Sequence, residues 1–286
     1  MIIVKLIGGL GNQMFQYALG RQLAEKHHGE LLLDISAFEN HYKLHRYSLN
    51  HFNIDEKIVS QADLDKFKPS GLNKITDKLF GKTDKYQTIK ELHFHFDPKI
   101  LDLPDDIYLD GYWQSERYFK SIETIIRKNF TLKQGNTELD QNSLGSIGGT
   151  ESVSLHIRRA DYVTNQKTLN VHGVCSPEYY YSAIEQIQAG RQNLRLFVFS
   201  DDIKWAKTNL KFDLPATYID HGPEKNYEDL ILMSRCKHNI IANSSFSWWA
   251  AWLNQNPDKI VIAPKNWFLD ETRNTKDLLP EKWIKL

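Results

Sequence analysis

The sequence predicts an α/β protein of two domains, 1–148 and 149–286. Three observations carry that prediction. The N-terminus reads as a strand, a glycine turn, a helix and a second strand. From residue 153 onward, strand and helix patterns alternate regularly, which implies a parallel sheet covered by helices on both faces. Between them, 134–152 holds four glycines and no aromatic residue, the composition of a boundary.

The elements follow in order. An apolar run over 2–7 is the first strand, and Gly8-Gly9-Leu10-Gly11 turns the chain. Phe15, Ala18, Leu19 and Leu23 then recur at helical spacing until Gly29. A second strand spans 31–35. The pattern over 40–105 is irregular and predicts only a helix near 59–67. A strand at 107–109 runs into Gly111-Tyr112-Trp113, after which Ser115 is placed to cap a helix with Phe119, Ile122, Ile126 and Phe130 on one face. In the second half, strands are expected at 153–158, 194–199, 216–219, 239–242 and 260–263. One intervening helix has Ser176 as cap, Pro177 at its first position and Gly190 at its end.

Composition narrows the function. The chain has 286 residues, 41% hydrophobic, enough for two cores. Its 36 basic and 36 acidic residues leave a formal net charge of zero, so no nucleic-acid partner is implied and any anion site must be local. Cys175 and Cys236 lack metal-ligand spacing and read as reduced structural thiols. The N-terminus turns glycine-rich too early for a signal peptide, and no apolar run nears the ~18 residues of a membrane span. A cytoplasmic location is the expectation.

Ligands of parallel sheets bind outside the carboxyl ends of the strands, and here those ends are rich in polar groups. "SLHIRRADYV" brings Arg158 and Arg159 to a strand tip. Two guanidinium forks suit a diphosphate, because each can donate a bidentate pair. The competing structural reading turns Arg159 away into an ion pair with Asp161 or a helix. In "IIANSSFSWWAAWL" a strand delivers Asn243, Ser244 and Ser245 to the start of a 246–253 helix, whose first N–H groups and dipole form an anion site.

A dinucleotide site is the rival. Gly9-Leu10-Gly11 opens a helix after a strand, and Asp34 lies 23 residues beyond Gly11. Met14 is bulky where the third glycine belongs, and Asn12-Gln13 puts side-chain amides where a pyrophosphate needs bare backbone. Other residues have bland readings. Asp63-Leu64-Asp65 is a solvated helix face rather than a metal motif, Asp201-Asp202 cap the next helix, and Trp248, Trp249 and Trp252 fill a core. His93 and His95 lie on one face of a strand but lack a third metal ligand. Tyr112, Trp113 and Gln114 either form a platform for a sugar or fill the first core.

Five ordered motifs, "GGLGNQMFQYALG", "GYWQSERYF", "HIRRADY", "FSDD" and "NSSFSWWAAWL", resemble the α1,2-fucosyltransferases of glycosyltransferase family 11, specifically the unanchored bacterial type. The resemblance implies a GT-B architecture: two Rossmann-like domains with parallel sheets facing across a cleft, 1–148 on the acceptor side and 149–286 binding the GDP-sugar. It implies GDP-fucose as donor, inversion at the anomeric carbon, no metal or other cofactor, and a galactose-terminated acceptor fucosylated at O2, in O-antigen or capsule synthesis.

Carried over by residue, the resemblance assigns Arg158 and Arg159 to the diphosphate, His156 to the nucleoside and Asp220 in "TYIDHG" to the guanine edge. Ser244 and Ser245 complete the phosphate contacts, with Gly9 and Gly11 also donor-side. Asn12 lies near the fucose and the reacting hydroxyl. Tyr112, Trp113 and Gln114 are the acceptor residues. Asp161, Glu116 and Asp110 are the acids available as general base, none of them selected by spacing and late proton loss without a strong base equally open; Asp161 is grouped with Arg158 and Asn12 as catalytic. Without a membrane segment, peripheral association with the inner membrane is compatible with such a role. A non-catalytic or redox nucleotide-binding protein on the same scaffold is the alternative.

Overall fold

The computed structural model describes residues 1–40, 45–67, 86–133 and 139–286, with the side chains of Asn40 and Asp161 excluded. The chain divides into two compact units, Met1–Thr131 and Leu132–Leu286.

The first unit is built on a four-stranded parallel sheet in the order β2-β1-β4-β3. Strands β1 (Ile2–Lys5), β2 (Leu31–Asp34) and β4 (Ile107–Asp110) fall where the apolar runs put them. Strand β3 (Gln87–Lys90) does not, because three of its four residues are exposed and an edge strand without buried alternation carries no pattern. The helix Leu10–His27 lies directly on the sheet: a Cβ on Gly20 would sit 2.3 Å from Val4 Cγ2 and 2.7 Å from Leu31. It ends one residue before the expected glycine. His28 takes the left-handed conformation (φ 50°), and the N–H of Gly29 closes on the Ala24 carbonyl.

Beyond β4 the expected single helix is broken. Ser115 caps a 3₁₀ turn, Glu116–Tyr118, a second turn spans Lys120–Ile122, and the α-helix is only Glu123–Asn129. Phe119, fully buried and 6.2 Å from the Phe15 ring, interrupts the helical geometry at φ −136°. His93 and His95 correct another expectation. They follow β3 in a loop rather than lying within a strand, and their rings stack at 3.8 Å.

The second unit carries a six-stranded parallel sheet, β10-β9-β8-β5-β6-β7. Its members are β5 (Glu151–Ile157), β6 (Leu194–Ser200), β7 (Ala216–Ile219), β8 (His238–Ile240), β9 (Val261–Ala263) and β10 (Ile284–Lys285). Numbered within the unit this is 3-2-1-4-5-6, the dinucleotide-fold order, and the connections diverge between β5 and β8. The units part at Thr131/Leu132 rather than at the 148/149 expected from composition. Part of that polar stretch is the helix Gln141–Gly148, capped by Asp140 and packed on β5 and the helix Asn226–Arg235, while 134–138 lie outside the described residues.

Two features fix the second core. Trp248 and Trp249 are fully buried and Trp252 is 3% exposed on the helix Ser245–Leu253. Burying indole surface of this size contributes on the order of 4–6 kcal/mol each before entropy is counted. The second feature is polar. Asn239, at the centre of β8 and without solvent exposure, donates to Ser154 Oγ on β5 (2.7 Å) and to the Met233 carbonyl (2.9 Å), and its Oδ1 accepts from Asn254 (2.7 Å). Asn254 in turn donates to the Cys236 carbonyl. Cys175 and Cys236 are free thiols, and burial raises both thiol pKa values, that of Cys175 to about 11.

Candidate functional site

The carboxyl edge of the second sheet gathers charge where its connections diverge. Arg158 follows β5, and its Nη1 donates to Asp201 Oδ2 at 2.8 Å, while Asp201 Oδ1 accepts the Arg159 N–H at 2.8 Å. One carboxylate at the end of β6 therefore fixes both the side chain of Arg158 and the backbone after it. The Arg158 guanidinium lies 5.2 Å from the Tyr162 ring centre, and the Tyr162 hydroxyl donates to the Asn243 carbonyl at 3.3 Å. Arg158 and the β8 loop are thus joined through one side chain.

Arg159 has a different position. Its guanidinium stacks on Trp205 at 3.7 Å, so its flat face is occupied by the indole. The backbone of Asp161 lies in the short helix Ala160–Thr164, which the sequence pattern missed, and its side chain is outside the described residues. Asp202 caps the helix Ile203–Asn209 through Trp205 N–H, as expected.

His156 is 5% exposed, and among the described residues its Nδ1 has no hydrogen-bond partner. Burial, reinforced by the neighbouring Arg158 charge, lowers its pKa to about 3, so the imidazole is neutral at physiological pH. Ser244 is the N-cap residue of the Ser245–Leu253 helix, yet its side chain makes no capping bond to the first-turn N–H groups. Asn243 is structural: its Nδ2 donates to the carbonyls of His172 (2.7 Å) and Trp267 (3.2 Å).

Asp220, exposed after β7, accepts the Gly222 N–H at 2.9 Å with one oxygen. His221 beside it bridges two acids, with Nδ1 2.5 Å from Asp229 and Nε2 3.7 Å from Asp140. Burial raises the Asp229 pKa, and hydrogen bonds from Ser143 hold that of Asp140 down.

In the first unit, the glycine loop after β1 is stapled by amides. Buried Gln13 donates to the carbonyls of Gly8 (3.0 Å) and Arg46 (2.8 Å) and accepts the Ser48 N–H. Buried Gln16 accepts the Ile7 N–H and donates to the Gly111 carbonyl, both at 3.0 Å. The glycine that needs positive φ is Gly8 (77°), whereas Gly9 is an extended N-cap and Gly11 lies within the helix. Asp34, the rival ribose ligand, is consumed by Tyr108 OH (2.6 Å) and Ser36 N–H (2.9 Å).

Trp113 corrects part of the acceptor expectation. It is 1% exposed and packs edge-on to Tyr118, so it is a core side chain without an open stacking face. Tyr112 is half-buried, and Gln114 is 8% exposed with its Nε2 2.8 Å from Asn12 Oδ1. Of the remaining candidate bases, Asp110 pairs with Lys5 and Glu116 with Lys120, each at 3.2 Å. Sequence reasoning missed Asp201, Gln16 and Glu91 as organisers. Asp201 and Gln16 stood in quoted motifs, while Glu91, whose carboxylate accepts the Tyr112 and Trp113 N–H groups at 2.8 and 3.0 Å, carries no local signal. Among the described residues no group of three or more His, Cys, Asp or Glu is placed to hold a metal, and no helix is long and apolar enough to cross a membrane.

Two α/β units on parallel sheets, the second in dinucleotide-fold order with an arginine and a helix start at its divergence point, are the elements of the GT-B fold. The chain belongs to glycosyl transferase family 11, whose description matches residues 1–286. It is 38% identical to an α-1,2-colitosyltransferase of Escherichia coli, over 100% of this chain and 99% of that protein. It is 35% identical to the O-antigen biosynthesis glycosyltransferase WbnK of Escherichia coli, over 98% and 99%. To human galactoside α-(1,2)-fucosyltransferase 1 it is 28% identical over 68% of this chain and 56% of that one. Among solved structures, Arabidopsis thaliana FUT1 in complex with GDP superposes with a TM-score of 0.53 at 10% identity, covering 98% of this chain and 72% of that chain. The fucosyltransferase NodZ from Bradyrhizobium superposes at 0.51 and 13%, covering 87% and 91%.

Proposed function

We propose that this enzyme transfers L-fucose from GDP-fucose to the 2-hydroxyl of a terminal galactose, with inversion. The observation that carries the reading is the convergence of Arg158, Tyr162 and the Asn243–Ser245 turn at the divergence point of the second sheet. The acceptor O2 attacks the anomeric carbon and gives up its proton to water late in the step, and the sugar–phosphate bond breaks with its electron pair going to the β-phosphate oxygen. Negative charge grows there, so a fixed guanidinium and a helix start stabilise the transition state more than the ground state. Arg158 fills that role, with Ser244 and Ser245 at the helix start.

Arg159, stacked on Trp205, contributes its positive field and its backbone contact to Asp201. Neutral His156 serves the nucleoside and Asp220 the guanine edge. In the first unit, Asn12 faces the sugar and Tyr112 the acceptor. Arginines and a helix start supply the charge that a metal supplies elsewhere, so we propose metal-independent transfer.

The O-antigen relative supports a role in surface-glycan assembly, and we place that role in the cytoplasm, with peripheral association at the inner membrane, as part of the same proposal. The 38% likeness to a colitosyltransferase favours a second donor reading, GDP-colitose, a sugar that lacks the 3-hydroxyl of fucose. Incubation with lactose and either GDP-sugar, followed by GDP release and product analysis, tests both. Transfer of fucose is expected. Transfer of colitose alone would replace the donor, and release from neither would overturn the reading.

A further inference from the structure

The turn after β8 is pinned by a side chain as well as by backbone. The Ser244 N–H closes on the Ala242 carbonyl at 2.8 Å, two residues back, so Asn243 is the central residue of a three-residue turn. Its orientation therefore sets the direction in which the chain enters the helix Ser245–Leu253. Asn243 is 3% exposed, and its Nδ2 donates to carbonyls of two other segments, His172 at 2.7 Å and Trp267 at 3.2 Å. Its Oδ1 faces the Cys175 thiol at 3.8 Å. A leucine would fill a similar volume but leave two buried carbonyls without this donor, so the amide fixes where both segments lie.

Those two segments are also joined to each other. The Leu269 N–H donates to the Val171 carbonyl at 2.9 Å, and the His172 ring lies 5.1 Å from that of Phe268. Next to His172, Gly173 takes φ 64° and ψ −172°, a backbone region essentially confined to glycine, and a Cβ there would lie 2.8 Å from Leu269 Cγ. Further on, the C-terminal segment reaches the helix again. Trp248 Nε1 donates to the Leu278 carbonyl at 2.9 Å, and the Trp248 and Trp283 rings are 5.5 Å apart. The chain beyond β9 thus holds the body of the helix through Trp248 and its start through Asn243.

We propose that Asn243 is a positioning residue whose side chain couples residues 171–173 and 267–270 to the helix start, so that the affinity for a nucleoside diphosphate and the order of those two segments are set together. This rests on the reading of that helix start as the diphosphate site. The effect is specific to phosphate, because the amide acts on the turn that carries Ser244 and not on the residues given to the base. Coupling is reciprocal, so a diphosphate bound at the helix start steadies both segments in return.

The test compares GDP with guanosine by calorimetric titration and by hydrogen exchange. Asn243→Leu keeps the volume and adds no charge beside the site. Its Kd for GDP should rise at least about tenfold, the scale of one lost hydrogen bond, while that for guanosine stays within about threefold. In the wild type, GDP should slow exchange of the Gly173 and Leu269 N–H groups about fivefold, and guanosine should leave it unchanged. Gly173→Ala displaces the His172 carbonyl from the other end of the link and should lose GDP affinity in the same phosphate-specific way. It and the wild-type exchange decide the matter if Asn243→Leu does not fold. Equal losses for GDP and guanosine would make Asn243 merely structural and overturn the proposal, as would unchanged affinities in both variants or exchange that GDP does not slow. A wild-type protein that binds GDP no tighter than guanosine sinks the diphosphate reading instead.

Discussion

Arg158→Lys separates a phosphate ligand from a structural ion pair. Arg158 donates through one terminal nitrogen to Asp201, and the two side chains are 23% and 21% exposed. A guanidinium can keep that bond while offering its other N–H groups to a phosphate, whereas an ammonium on a shorter, more mobile stem serves one or the other. Losing one well-placed transition-state donor costs about 2.7–4 kcal/mol, a factor of 10² to 10³ in turnover. The partly exposed pair itself contributes about 0–1 kcal/mol, and lysine retains some of it. For a unit of this size that is a shift of roughly 2–4 °C at most. Steady-state GDP release gives kcat and the donor KM, and calorimetry gives the melting temperature. At least a hundredfold loss of kcat, a smaller change in KM and near-wild-type melting are expected. Retained turnover with melting lowered by ten degrees or so would assign Arg158 to structure and remove the main support for a diphosphate site.

Three further outcomes follow from the second unit. Asp220→Ala should raise the donor KM and narrow the preference for GDP over UDP as inhibitor, one paired edge being worth about 1–3 kcal/mol; an unchanged preference would remove Asp220 from the base site. Activity should persist in excess EDTA, and strict loss restored by manganese or magnesium would refute the charge-based mechanism. His156 predicts an acid limb. Its folded pKa of about 3 lies below the ordinary 6.5, so below pH 6.5 the unfolded chain binds a proton that the native one refuses. Stability is therefore complete above about pH 6.5 and falls toward pH 3 by roughly 1.4 kcal/mol per unit from this group. Denaturant titrations of wild type and His156→Gln should show the shallower limb in the variant, and parallel limbs would refute it.

The legible parts of the fold were those where burial writes a pattern. The central strands β1 and β6 are largely apolar runs because both faces are covered, β5 was read from the alternation of Val153, Leu155 and Ile157, and Pro177 after Ser176 marked a helix start by mechanism. Strands β3 and β10 escaped because short, partly exposed edges leave no periodicity, and the helices Ala160–Thr164 and Gln166–His172 are too short to display one. The candidate site was legible as residue types at strand ends, but its couplings were not. That Asp201 holds Arg158, that Arg159 turns to Trp205 and that Glu91 clamps the Trp113 loop depend on side-chain directions between residues 21 to 46 positions apart, a spacing that local pattern does not encode. Trp113 misled for a simple reason. An aromatic beside a loop serves a sugar or a core equally well in sequence, and the left-handed backbone that sends it inward is invisible there.

The buried amide of Asn239 has a bearing on register as well as on packing. Strand β8 has only three residues, all buried and flanked on both sides, so apolar contacts alone distinguish poorly among neighbouring alignments of the chain. The Asn239–Ser154–Asn254 bonds do distinguish, since a slip by one residue would strand three buried polar groups at once. Four residues downstream begins the Asn243–Ser245 turn, and the same slip would carry it by about 3.3 Å. The amide thus acts as an address label for the serines at the helix start. Replacing any one of Asn239, Ser154 or Asn254 alone should therefore misplace the serines before it unfolds the unit.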